Sequence, residues 1–592
     1  MLDKRRVTDG FTSLEGGMDA GSATNLIPRN KVAFAMNATF RTGYLNNRPG
    51  WASIPLSFLD DETRTAYTTG QFQGAGWYIP VTGNPFVFVS ISGHIYRLTP
   101  GATSFTVEDL TPSGDPNVSF LPKVWMCQAD SFLVIQDGLD APFVYDGTTL
   151  RRSTCILPDD PSTSGKPPYL QPANKEVPTG TAMAYGYGRL WLVRGKNVEA
   201  GDILNASIPN SAILFTEVLQ YNDAFSVPVT SGDITAIAFG ANIDTSIGQG
   251  PLQVHTASGQ VITLDVTVER TTWTQTNIQN IGLMGGAATG QECVVNVNND
   301  TWFRSNDGIR SFVVARRQFN TWGNTSQSRE VDPILKYDTP NLLIYASGVW
   351  FNNRLLLTIS PQLAGKNRYF QGLVALDYDL TSTLSGTLNG TNPEPAYDGI
   401  WTGINVTQIT KTYFGSEERC FIFTWDATLG NQLWELSKEA PFDNGSCPIV
   451  SWIETGSYNS NSLTNLKKLI GADLWIDQLQ ETVQFDVSWQ PDQFPFWQPW
   501  QSFEESDGNP CSTTQKRNAF LSCEIPVQSP PQYRSRIRLQ EPESTIDNPE
   551  GEYPINFGYD FRFRIQWKGR ARIKGFRVFG YIQEDETTGS KP

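Results

Sequence analysis

Short runs of aromatic and aliphatic residues that end in a turn dipeptide recur along this chain and constrain it most. Phe86-Val87-Phe88-Val89-Ser90-Ile91 passes through Ser92-Gly93 into His94-Ile95-Tyr96-Arg97-Leu98, the pattern of a β-hairpin. The same pattern returns at Ser131–Gln136 before Asp137-Gly138 and Phe143–Tyr145, and at Ala182–Tyr185, through Gly188, before Arg189–Val193. Further copies lie at Thr301–Arg304 with Asp307-Gly308, Ile309 and Ser311-Phe312, at Trp350–Leu357, at Gly372–Asp377, and at Cys420–Trp425 with Gln432–Leu436. With 51 Gly and 37 Pro interrupting the chain, long helices are excluded. The 33 Phe, 20 Tyr and 17 Trp supply cores for many small sheets.

Degenerate strand–turn–strand units over so long a chain predict a mainly β fold. Radial repetition, which hides sheet edges, predicts an irregular β-propeller-like body, with tandem β-sandwiches as the alternative. Residues 1–55 read as an N-terminal arm that lacks a core of its own and is expected to pack on the body or on a neighbour, as an arm for subunit contacts. Residues 56–219 and 291–450 read as the two parts of the body, separated at 220–290 by an inserted β-module whose loops project from the body. Residues 451–592 read as a C-terminal β-sandwich-like domain. Its strand signals include the alternating Phe485–Gln490, and a hairpin from Phe561–Trp567 through Lys568-Gly569 to Arg572–Phe579. The Pro491–Trp500 stretch, with Trp497 and Trp500, reads as an aromatic anchoring loop.

The chemistry-bearing residues are sparse. The histidines are His94 and His255, both within strand signals and without metal-ligand spacing. The seven cysteines, Cys127, Cys155, Cys293, Cys420, Cys447, Cys511 and Cys523, are scattered and form no CxxC; a Cys511–Cys523 bridge stays open. No nucleophile elbow, Walker A loop or dinucleotide fingerprint is present. Asp398 near Trp401, and Asp426 beside Trp425, are the carboxylates to inspect for glycan chemistry, although solvated turn acids explain them as well. The expectation is a non-enzyme with no cofactor and no metal.

Lys plus Arg is 45 against 60 Asp plus Glu, a formal charge of −15, which disfavours tight, extensive nucleic-acid binding. An acidic wall can still let DNA slide past it, because like charges do not stick. Arg562, Arg564, Arg572, Lys574 and Arg577 form a local basic face, for which an acidic protein neighbour is the favoured partner. The start lacks the apolar stretch of a signal peptide, and no apolar run reaches membrane-spanning length. The protein is expected to be made in the cytosol and either to stay soluble or to join an assembly there.

Gly16-Gly17-Met18-Asp19, Leu26-Ile27-Pro28, Asn37 and Arg48-Pro49-Gly50 together resemble the amino-terminal signature of tail nozzle proteins of short-tailed bacteriophages, also called tail tubular protein B. Asn296–Asp300, Phe303–Ser311 and Phe561–Phe579 extend the resemblance over most of the chain. The resemblance implies a virion tail component: a ring, expected to be a homohexamer, with a propeller-like body, an adaptor ring above it and fibres or a spike around it. Double-stranded DNA would pass through its lumen at ejection. Leu283, Met284, Gly285 and Gly286 are the candidate channel loop. Arg48, Pro49, Trp497, Trp500, Arg562, Arg564, Arg572 and Lys574 are the candidate interface. A receptor- or glycan-binding tail protein is the alternative, and a glycan-cleaving tail enzyme a more remote one.

Overall fold

A computed structural model of the chain describes residues 6–155, 176–216, 225–241, 248–266, 273, 286–312, 326–379, 395–492, 494–506, 534–542 and 555–583. The chain is mainly β, as expected, with short helical turns such as Asp61–Thr69, which Asp60 caps by accepting from the Thr63 amide.

Most of the hairpins form where the turn chemistry placed them. Phe86–Ile91 pairs antiparallel with His94–Pro100, and both turn residues, Ser92 (φ 49°) and Gly93 (φ 88°), adopt the positive φ that a two-residue hairpin turn demands. Asn352 and Asn353 (φ 50° and 57°) do the same between Gly348–Phe351 and Arg354–Ala364. Five small sheets follow one another in the chain, built from Leu56–Phe58 with Phe72–Asp109, then 125–152, 183–226, 234–264 and 294–311. Successive sheets share apolar clusters: Val124, Leu133 and Phe143 pack with Tyr78, Phe88 and Ile95, and Trp191 and Val193 pack with Ile237 and Val254.

The propeller-like body and the separate C-terminal sandwich are not what forms. Among the described residues no sheet closes into a barrel or propeller. Instead, among the described residues, one sheet of 18 strands joins the N-terminal segment, the later part of the expected body and the C-terminal region. The strands from the body run from Gly348–Phe351 to Gly430–Leu436. The physical reason is strand length and edge pairing. Leu466–Pro491 and Phe561–Gln583 run antiparallel along most of their lengths, too far to end inside one small sandwich. The edges of this pair are then taken by other segments of the chain.

The predicted hairpin at Lys568-Gly569 is likewise absent. Phe561–Gln583 continues through it as one strand. Gly569 (φ 113°) absorbs an irregularity while Lys568 pairs with both Val450 and Gln484. A two-sided ladder holds the chain extended where local sequence signals a reversal.

Residues 6–55 pack on the body of their own chain. Arg6–Phe11 pairs antiparallel with Phe576–Tyr581, Lys31–Met36 with Trp452–Thr455, and Leu45–Asn47 with Arg572–Ile573. Phe11, Val32, Phe40 and Leu45 enter the largest core cluster beside Trp489, Trp567 and Phe576.

Candidate functional site

Of the residues singled out from sequence, Arg48, Pro49, Arg572 and Lys574 meet at the joint between the N-terminal segment and the long C-terminal strand. Arg48 is the pivot. Leu45–Asn47 hydrogen-bonds to Ala38–Thr39 and to the long strand, which delivers the next residue inward. The Arg48 guanidinium donates to both Asp443 carboxylate oxygens at 2.9 Å. It also donates to the Asn37 side chain at 3.0 Å and to the Thr402 carbonyl at 3.1 Å. Its planar face lies 3.6 Å from the centre of the Trp51 ring. Burial pulls the Arg48 pKa down, and the bonds to Asp443 oppose that pull. Five donors in a fixed fork suit this role; a lysine would satisfy only part of it. Pro49 supplies a carbonyl to the same guanidinium. Gly50 passes so close to the Phe442 carbonyl that a Cβ would sit 2.0 Å from its oxygen.

The other signature residues are joints as well. Gly17 (φ 69°) packs against the Tyr397 carbonyl, and the Asp19 carboxylate accepts from the Ser22 amide and hydroxyl. Arg304 is buried against Asp338 at 3.0 Å.

The basic face on the long strand is real, and its counter-charges lie within the chain. Arg562 and Arg564 both reach Glu454, at 2.9 and 2.6 Å. Arg572 clasps Asp477 through two bonds of 2.6 and 2.9 Å, and Lys574 stands 3.5 Å from the same carboxylate. Trp497 lies over this face, 4.4 Å from the Arg564 guanidinium and 5.4 Å from that of Arg562. Trp500 donates from its indole to the Gln540 carbonyl at 2.8 Å and packs 5.8 Å from Phe563. Arg577 is exposed and stacks on Trp475. Of the candidate channel loop, Leu283, Met284 and Gly285 lie outside the described residues, and Gly286 is buried.

Next to the joint is a buried charge cluster of which the sequence singled out Asp398 alone. Arg354 bridges Asp377 and Asp398 at 2.9 Å each, while Arg41 meets Asp377 at 3.0 Å from the outside. Asp398 also accepts from Thr39 and from the Phe40 amide, so it ties the N-terminal segment to the sheet. Burial and the neighbouring Asp398 raise the Asp377 pKa to about 6, against the pull of the two arginines. Four charges drawn from residues 41 to 398 carry no spacing signal in sequence.

The other chemical candidates are placed as structural groups. Asp398 is committed to Arg354, and Asp426 accepts from the Thr428 and Leu429 amides of its own turn. His94 pairs with Asp109 at 2.9 Å on the surface. His255 is buried, accepts from the Ala288 amide at 3.1 Å, and is held neutral because burial lowers its pKa to about 3. Cys127, Cys155, Cys293, Cys420 and Cys447 are free thiols; Cys511 and Cys523 lie outside the described residues. Among the described residues no group of His, Cys, Asp and Glu is placed to hold a metal ion, and no helix is long and apolar enough to cross a membrane.

No known protein family matches the sequence, and no curated protein matches it. Solved structures give distant similarities. The extracellular domain of a hybrid two-component system from B. thetaiotaomicron is 9% identical, over 81% of this chain and 58% of its own, with a TM-score of 0.35. The computationally designed Ika8 protein is 10% identical, over 65% of this chain and 100% of its own, at 0.30. YCF48 from Cyanidioschyzon merolae is 10% identical, over 65% of this chain and 98% of its own, at 0.31. Overlaps this weak carry no argument about function.

Proposed function

We propose that this chain is a structural component of a short phage tail, a nozzle-like ring through which genomic DNA leaves the particle. One observation carries the reading. The segments that resemble the tail nozzle family hold the molecule together and present no reacting groups. Arg48 is locked on Asp443, and Phe561–Gln583 is the spine to which the N-terminal segment is stitched. A part that must withstand pressure and passing DNA needs its termini tied into one sheet. A soluble catalyst has no such requirement.

The charge balance supports the same reading. A chain of net charge −15 that neutralises its own basic face with Glu454 and Asp477 offers phosphates little to hold. A ring, expected to be a hexamer, built by heterologous contacts that close on themselves, suits the role. It would sit below an adaptor ring and carry fibres or a spike, in the virion and after assembly in the host cytoplasm. On this account the chain is not an enzyme.

Antibody-labelled electron microscopy of intact virions tests this placement. Label at the distal end of the tail is the expected result. A particle preparation from which the chain is missing would remove the proposal.

A further inference from the structure

Beside the Arg48 joint lies an open cleft of about 410 Å³, within the range of small-molecule sites. It is walled by the N-terminal segment, the 438–439 turn and the long C-terminal strand. Arg41, Arg354, Lys438, Arg570 and Arg572 line it, and Glu439 is the one acid among the lining residues. The rest of the wall is hydroxyl and amide, broken by Pro49. Such a lining rejects apolar ligands and offers hydrogen-bond donors almost throughout.

Most of those charges are already matched. Arg41 and Arg354 share Asp377, with Asp398 behind them, and Arg572 is held by Asp477. Arg570 differs. Among the described residues its guanidinium makes one hydrogen bond, to the Asn47 carbonyl at 3.1 Å, and meets no carboxylate within ion-pair distance. It is half-buried, and the loss of water around it lowers its pKa, with Arg572 pushing the same way and only Glu439 opposing. Lys438 is exposed on the same cleft and likewise has no ion-pair partner among the described residues. A half-buried guanidinium whose spare donors face an open cavity large enough for a ligand is placed to receive an anion.

We propose that this cleft binds a small molecule carrying several oxyanion groups, phosphate or carboxylate, with Arg570 as its principal ligand and Lys438 as a second. The inference is independent of ring formation and of the tail placement.

Titration calorimetry on the purified full chain at low ionic strength tests it, with pyrophosphate and citrate as separate probes. Saturable binding of either is expected, and the probe that binds more tightly identifies the phosphate or the carboxylate as the natural group. Arg570→Gln should weaken binding by about tenfold or more, and Lys438→Gln by a smaller factor. Lys568→Gln, an exposed charge on the same strand outside the cleft, should leave it unchanged. Should Arg570→Gln not fold, Lys438→Gln and the charge-keeping Arg570→Lys carry the test, each with a measurable loss. No saturable heat from either probe would overturn the site, as would equal losses in Lys568→Gln and the cleft variants. Binding of duplex DNA without binding of the small anions would overturn it too.

Discussion

Arg48 and Asp443, 395 residues apart in sequence, are joined by two parallel hydrogen bonds of 2.9 Å. Arg48 is almost wholly buried there, whereas Asp443 keeps a fifth of its side chain in water. The pair closes the joint at which the N-terminal segment enters the large sheet, so its loss should be felt far from either residue.

Asp443→Asn should lower stability by about 3–5 kcal/mol, because it strands a buried guanidinium. Arg48→Met, which removes that charge as well, should cost less than Asp443→Asn when built on the Asp443→Asn background. Thermal unfolding of the three variants measures the coupling. Equal, additive losses would show that the pair is not a unit.

The charges around the long strand should not be equal in worth. Glu454 faces Arg562 and Arg564, which are about a quarter to a third exposed, so Glu454→Gln should cost about 1 kcal/mol or less, and less still in high salt. Asp477 is 6% exposed and takes both bonds of Arg572, so Asp477→Asn should cost more and depend less on salt. Urea denaturation at low and high ionic strength separates the two.

Two buried groups should give opposite pH signatures. Asp377 binds its proton more tightly folded than unfolded, so its contribution is full below about pH 4 and is lost as pH rises through about 6. His255 binds its proton less tightly folded, so its contribution is full above about pH 6.5 and is lost on acidification. Relative to Asp377→Asn, wild type should therefore lose on the order of 2 kcal/mol between pH 4 and 7. Relative to His255→Gln, it should gain over the same interval. Melting temperatures across that range, taken as differences from each variant, isolate the two slopes.

Backbone approach should make Gly50 irreplaceable. An alanine Cβ there would lie 2.0 Å from the Phe442 carbonyl oxygen, where Gly50 is held by backbone hydrogen bonds to Ala440 and Ser437. Gly50→Ala should destabilise by about 1–3 kcal/mol or more. Gly83→Ala, with φ 97° but no atom within 4 Å of the new Cβ, should cost only the left-handed backbone penalty of about 1–2 kcal/mol. A melting temperature for Gly50→Ala no lower than that of Gly83→Ala would count against the tight joint.

Much of the local structure was legible because its determinants are local. Ser92-Gly93 and Asn352-Asn353 make hairpins through their own φ angles, wherever the hairpins later pack. The architecture was not legible, because its determinants are partners. Lys568-Gly569 has the composition of a turn, yet Val450 and Gln484 keep it extended. The basic face was visible in the alternation of Arg562 and Arg564, but nothing near them pointed to Glu454. Arg48 and Pro49 stood out by resemblance, while Asp443, which gives Arg48 its role, sits in an unremarkable acidic turn.

Single-particle electron microscopy of the purified full chain tests the central claim most directly. The account predicts closed rings of identical copies around a central channel, with the N-terminal and C-terminal strands joined within each copy. Monodisperse single copies at every protein concentration would contradict it.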